Sequence, residues 1–284
     1  MKIAQFSDIH YCPEYLTEVD RCFTFAVGEA IKQCCHAAVI SGDLFDHRVD
    51  LHSPAVAAVC EQVRRLADHM PVLILQGTFS HDVPGSLDVF RTIGGRHPVH
   101  VADTIGQVGL YVDVAGKSAW LESPYMPAGN IFESNGVGLL EAVFSCLPPV
   151  NKGAVAAHAG AHEAATAAGE YVYHVMRGWA VSHVAAASMG IPTIVVSHGT
   201  VANCITEQGC PMHGTDHEFG TGALFSAEAS AVMLGHIHQY QKWEIDGRQI
   251  AYPGSVGRLG QNGLAMTIGT CSRSLPAWSA PGNQ

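Results

Sequence analysis

The sequence predicts an α/β fold, and two observations carry that reading. Short apolar runs of strand length alternate with longer stretches whose apolar residues recur at helical spacing. Several of these runs also open into a short polar segment that ends in Asp or His. The first strand, Lys2-Ile3-Ala4-Gln5-Phe6, leads to Asp8. Residues 18–35 read as a helix, with Val19, Cys22, Phe23, Ala26, Ala30 and Ile31 on one face. Ala37-Ala38-Val39-Ile40 forms the second strand and leads to Asp43. Ser53 as N-cap, with Pro54 in the first turn, begins a helix over 53–69. Val72-Leu73-Ile74-Leu75 is the third strand and leads to Ser80 and His81. Strands alternating with helices in this order imply right-handed parallel crossovers.

Shorter strands are expected at 99–101, 108–114 and 118–121. Residues 122–153, rich in Gly and Pro, predict a loop-bearing connection with one short helix near 137–146. The Ala-rich stretch 154–189 reads as mostly helical. Ile194-Val195-Val196 is a strand leading to His198, and 199–222 a long loop. Ala231-Val232-Met233-Leu234 leads to His236 and His238. The turn pair Asp246-Gly247 predicts a hairpin of Trp243–Ile245 with Gln249–Tyr252. Residues 1–270 are expected to form one domain and 271–284 a flexible tail.

With 284 residues, 48% of them hydrophobic, the chain can bury a sizeable core. The net charge of −10, from 15 basic and 25 acidic residues, argues against a broad basic surface for nucleic acid. Arg48, Arg64, Arg65, Arg91, Arg96, Arg177 and Arg258 are scattered and form no basic run. Nine cysteines, odd in number and irregularly spaced, with Cys34 and Cys35 inside a predicted helix, suit reduced thiols of a cytoplasmic protein. No apolar stretch approaches the length of a membrane span. Lys2–Phe6 is too short for a signal peptide, whose cleavage would remove Asp8 and His10.

Five segments concentrate the metal-binding side chains: Ser7-Asp8-Ile9-His10, Ser41-Gly42-Asp43-Leu44-Phe45-Asp46, Gly77-Thr78-Phe79-Ser80-His81-Asp82, Val196-Ser197-His198-Gly199 and Gly235-His236-Ile237-His238. Asp and His without Cys suit a hydrolytic site for Mn, Fe or Zn better than a structural zinc. In order, the segments resemble the D-x-H, G-D-x-x-D, G-N-H-D, H-G and G-H-x-H blocks of the calcineurin-like metallophosphoesterases. Ser41–Asp46, and Tyr252-Pro253-Gly254-Ser255 followed by Arg258, are similar to the Mre11/SbcD nuclease group within that superfamily.

The resemblance implies a metallophosphoesterase sandwich of two mostly mixed β-sheets flanked by helices. It implies two divalent metals, manganese first, with iron, zinc and magnesium as alternatives. Asp8, His10 and His238 would hold one metal, Asp43 would bridge both, and Ser80, His198 and His236 would complete the other. A metal-activated water would then attack phosphorus. His81 would act on the substrate as a phosphate contact or proton donor, since imidazole exchanges a proton near neutral pH. Asp82 would orient His81. The third block departs from the pattern: Ser80 stands for Asn, and Thr78-Phe79 read as two inserted residues. A hydroxyl is a weaker ligand than an amide carbonyl, and Thr78 or a water are the alternatives at that position. Asp46 reads either as a partner of a ligating His or as a loop cap. Arg48 and His52 read as solvated surface.

Two further clusters carry weaker patterns. Cys204, Cys210, His213 and His217 share one loop but match no standard zinc spacing. His158 and His162, beside Glu163, lack the order of a zinc protease helix.

The resemblance implies a DNA nuclease, exo- or endonucleolytic, with DNA as partner and a role in DNA repair. Fewer than thirty residues follow Arg258, too few for a full capping domain. The expectation is therefore a compact enzyme, alone or as a homodimer, without a settled need for an SbcC/Rad50-like ATPase, and without a membrane. A small-molecule phosphodiesterase or phosphatase acting on nucleotides is the alternative. A catalytically dead scaffold with the same fold is the third reading.

Overall fold

The computed structural model describes residues 1–122, 138–150, 164–206, 208–211, 218–257 and 267–270. Two β-sheets face each other, with helices on both outer sides. The first sheet has the order β14-β1-β2-β3-β4. Its strands are β1 (Lys2–Phe6), β2 (Ala37–Ile40), β3 (Val72–Leu75), β4 (Val99–Ala102) and β14 (Thr267–Thr270). All pairs are parallel except β14 with β1. The crossovers are α1 (Leu16–Lys32) and α2 (Pro54–Ala67), whose N-cap Ser53 accepts a bond from the Ala55 N–H. Each helix turns one apolar face onto the sheet. Phe23, Val27, Val59, Val63 and Leu66 bury themselves there with Phe6, Ile40 and Ile74.

The second sheet has seven strands in the order β12-β13-β11-β8-β7-β5-β6. They are β5 (Gly106–Val112), β6 (Ser118–Glu122), β7 (Leu139–Leu147), β8 (Thr193–His198), β11 (Ala231–Gly235), β12 (Gln241–Ile245) and β13 (Arg248–Tyr252). Helix α3 (Ala164–Ser188) covers its outer face through Val172, Met176 and Trp179. Between the sheets lie Ile3, Val39, Leu73 and Leu75 from the first and Leu110, Phe144, Ile194 and Val196 from the second. The expected sandwich of two mixed sheets flanked by helices is present.

Three local expectations change. The helix near 137–146 is instead β7, which pairs with β5 on one side and β8 on the other. Its run Ala142-Val143-Phe144-Ser145-Cys146-Leu147 is buried throughout, and a continuous apolar run of this length does not distinguish a helix from a fully buried strand. Cys34 and Cys35 lie past the end of α1, and Cys34 adopts a left-handed φ of 51° as the chain turns into β2. The 199–222 stretch carries β9 (Thr200–Val201), β10 (Glu218–Phe219) and the short α4 (Thr221–Phe225). The hairpin at Asp246-Gly247 is present, with both central residues at positive φ (52° and 74°) as a type I′ turn requires. Residues 271–284, Arg258, His158, His162, Glu163, His213 and His217 lie outside the described residues.

Candidate metal centre

Parallel pairing of β1 with β2, and of β8 with β11, places the carboxyl ends of these strands along one rim of the sandwich. Loops at that position are where α/β proteins gather ligands. Gln5 holds the two sheets together there: its Nε2 donates to Leu234 O (2.9 Å) on one and to Ser41 Oγ (3.2 Å) on the other. Gly235 allows the loops to close. A Cβ on it would run into Ser41 O, Ser7 Oγ and His198 Nδ1.

The backbone at the rim is strained. Of eight described non-glycine residues with positive φ, four are Asp8 (51°), His10 (57°), Asp43 (52°) and His236 (99°). Such conformations cost energy and persist where the surroundings over-determine them, as at binding sites. Asp8 is fixed by the His236 N–H, which donates to both carboxylate oxygens at 3.1 Å.

Two donor clusters result. Asp8, His10 and His238 each offer a donor atom, all within 4.8 Å of one another. Within this cluster His10 Nε2 lies 3.2 Å from His238 Nε2, and His238 Nε2 lies 3.8 Å from Asp8 Oδ1. Asp43, His198 and His236 form the second cluster on the same criterion. His198 Nδ1 donates to Ser41 O (2.8 Å), which leaves Nε2 facing Asp43 Oδ2 at 3.2 Å. That tautomer is the one a metal-ligating Nε2 needs. Nitrogen and carboxylate donors with no thiolate fit Mn, Fe or Zn.

The electrostatics centre on one buried ion pair, Asp43 with His198. Burial alone would raise the Asp43 carboxyl, but the adjoining His198 outweighs it and holds the group well below the usual carboxylate range. Burial would lower His198, yet Asp43 at hydrogen-bond distance pushes it up to about 9. His10 moves the other way: burial lowers it despite Asp8 and Asp43.

The third segment is arranged differently from its expected reading. Ser80 is exposed, and among the described residues no hydrogen bond joins it to Asp43, His198 or His236. Thr78 sits against them instead: its N–H donates to Asp43 Oδ1 (2.6 Å), and its Oγ1 lies 3.3 Å from Asp43 Oδ2 and 3.2 Å from His198 Nε2. Asp82 does not orient His81. Its buried carboxylate accepts from the N–H groups of Leu44 and Phe45 (both 3.1 Å to Oδ1) and of Gly77 (2.9 Å to Oδ2). It thereby clamps the Asp43 loop to the Gly77 loop. Burial, reinforced by the charge of Asp43, pushes its carboxyl up to about 6 against these three N–H groups. His81 is oriented by the Asp46 carbonyl, which receives its Nδ1–H, and its ring stands edge-on to His10 at 4.9 Å between centroids. Asp46 joins His10 and His81 in a third donor group, and its Oδ1 lies 3.4 Å from His10 Nδ1.

The residues that support the centre were not legible as supports in the sequence, although Tyr252–Ser255 stood out as a segment. Tyr252 donates its O–H to Gly199 O and accepts from the Val201 N–H (2.8 Å), which secures the loop after His198. Ser255 Oγ donates to Asp8 O (2.8 Å), and its N–H to His238 O (3.2 Å). The segment Tyr252–Ser255 is thus a brace for both clusters. Its polar residues follow a strand end, a signal readable only once the pairing partner is known.

No protein-family profile and no curated protein matches the sequence. Solved structures do. A dimetal phosphatase from Danio rerio is similar over 94% of this chain and 91% of its own, at 12% identity and a TM-score of 0.55. The chain shares its fold with a dimetal phosphatase. GAP50, the anchor in the inner membrane complex of Plasmodium, is similar over 93% of this chain and 75% of its own, at 13% identity and a TM-score of 0.48. An archaeal phosphodiesterase is similar over 91% and 87%, at 11% identity and a TM-score of 0.37. Of these three, the first bears on the fold.

Proposed function

We propose that the protein is a metal-dependent phosphoester hydrolase of the calcineurin-like superfamily, with a dinuclear centre. The observation that carries this is the meeting of Asp8, His10 and His238 with Asp43, His198 and His236 at one rim of the sandwich. Divalent cations bound there, manganese in the first instance, would acidify a water and neutralise phosphate charge. Asp8, His10 and His238 would hold one cation and His198 and His236 the other, with Asp43 shared between them. His81 works on the substrate side. Its Nδ1–H is committed to Asp46, so its Nε2 is the atom that contacts the phosphate or gives a proton to the leaving oxygen.

The substrate that fits best is a small phosphoester, such as a nucleotide. Two of the scattered arginines are held in surface ion pairs. Arg64 pairs with Asp68 at 3.1 Å, and Arg91 with Asp88 (3.1 Å) and Asp103 (2.6 Å). With a net charge of −10, little is left to draw a polyanion along the surface. The nuclease reading rests on Ser41–Asp46 and Tyr252–Ser255, and both segments serve to build the centre itself. A dead scaffold is disfavoured because both clusters retain their carboxylates and imidazoles.

The test offers manganese-loaded protein bis-p-nitrophenyl phosphate, a panel of nucleotides, and labelled single- and double-stranded DNA, with His81→Ala as control. The expected outcome is turnover of small esters, lost in the control, with DNA intact. Degradation of DNA in preference to the small esters would reverse the substrate assignment.

A further inference from the structure

We propose that Thr78 Oγ1 is the neutral oxygen ligand of the Asp43–His198–His236 pocket, and that this pocket binds its metal more weakly than the Asp8–His10–His238 pocket. The inference rests on the dinuclear reading above.

Three atoms define it. Asp43 Oδ2, His198 Nε2 and Thr78 Oγ1 form a nearly equilateral triangle with edges of 3.2, 3.2 and 3.3 Å. Donors about 2.0 Å from a tetrahedral zinc are ~3.3 Å apart, and those about 2.1 Å from an octahedral cation ~3.0 Å apart. The triangle therefore has the dimensions of one face of a coordination shell. The backbone also holds Thr78 in place: its N–H is bonded to Asp43 Oδ1 at 2.6 Å, so the residue that would ligate also sets the carboxylate.

The same geometry locates the insertion. Thr78 O accepts from the N–H groups of His81 (2.9 Å) and Asp82 (2.8 Å), which closes a turn whose tip is Phe79-Ser80. Both tip residues are exposed. Thr78 follows Gly77 directly, as Asn follows Gly in the G-N-H-D block, and the two extra residues come after it. A Cβ on Gly77 would strike the backbone N of Asp43, so the backbone entering Thr78 packs directly against the Asp43 loop.

Weaker binding follows from the donors. The first pocket has Asp8 of its own and shares Asp43. The second shares Asp43 and adds only imidazoles and a neutral hydroxyl. Fewer carboxylates mean less charge to offset the dehydration of a hard cation.

Calorimetric titration of the metal-stripped full chain with Mn²⁺, together with metal content after dialysis, tests this. Wild type is expected to bind two Mn²⁺ with separable affinities. Thr78→Ala should weaken the second by roughly tenfold or more and leave the first unchanged, which also reports an intact fold. Thr78→Ser should restore the second, and Ser80→Ala should alter neither. Two sites in Thr78→Ala with wild-type affinities, or loss of the second in Ser80→Ala, would overturn the inference while leaving the dinuclear reading in place. A wild-type chain that takes up no Mn²⁺ would overturn both.

Discussion

His10 Nε2 and His238 Nε2 lie 3.2 Å apart although 228 residues separate them in the chain. Two imidazole nitrogens at this distance need a proton or a cation between them. Because folding is what brings them together, binding a cation there is linked to stability. Removing divalent metal with a chelator is expected to lower the melting temperature, and adding Mn²⁺ to restore it. At a free concentration a hundred times Kd, one site contributes about 2.7 kcal/mol. In a His238→Ala chain the metal-dependent shift in a thermal scan should shrink markedly. An unchanged shift would remove His238 from the centre.

Asp82 is expected to matter for architecture rather than for proton transfer. In Asp82→Asn the amide NH₂ would face a backbone N–H of Leu44, Phe45 or Gly77 in a site closed to water. Leaving one such donor unsatisfied costs about 1–3 kcal/mol, measurable by urea denaturation. Metal affinity should fall with stability, because Asp43 rides on the same loop. Loss of activity with stability and metal affinity both intact would restore a direct catalytic role.

Gly235 leaves no space for a side chain beside Ser41 O and His198 Nδ1. Gly235→Ala should push β11 away from the first sheet and impair the Asp43–His198–His236 cluster. Mn²⁺ titration of the variant is expected to show reduced binding, and wild-type binding would show that the rim is more compliant than its packing implies.

His183 links acidity to stability away from the metal centre. It is buried beneath the second sheet, where Nδ1–H donates to Ala227 O (2.6 Å) and Nε2 lies 2.7 Å from Ser145 Oγ. Burial lowers it from 6.5 to about 4, against the bond to Ala227. The folded pKa lies below the unfolded one, so the folded chain keeps the ring neutral. Its contribution is complete above pH 6.5 and is lost as pH falls towards 4, at a cost of up to roughly 3 kcal/mol. His183→Asn should therefore reduce the fall in unfolding free energy between pH 7 and 4.5. An unchanged fall would mean that His183 is not what titrates.

The parts of the fold set by local periodicity were legible in the sequence. β1, β2 and β3 with α1 and α2 follow from alternating apolar runs, and the Asp246-Gly247 hairpin from its turn pair. The segment around Val143 was not, since Ala142–Leu147 is buried on both faces and shows little of the alternation that marks a half-buried strand. At the site, Asp8, His10, Asp43, His198, His236 and His238 stood out because polar ligands follow buried runs. The choice between Thr78 and Ser80 did not, because spacing alone does not say on which side of a ligand two residues were inserted. The bracing roles of Gln5, Tyr252 and Ser255 were not legible for a related reason. Most of their partners lie 36 to 247 residues away, and pairing of distant strands brings them within reach.

The most direct test of the central claim is hydrolysis of bis-p-nitrophenyl phosphate by metal-stripped protein, by the same protein after Mn²⁺ is restored, and by Asp43→Asn. No turnover is expected without metal, with recovery on reconstitution and loss in Asp43→Asn at any Mn²⁺ concentration. Turnover that survives both chelation and Asp43→Asn would contradict it.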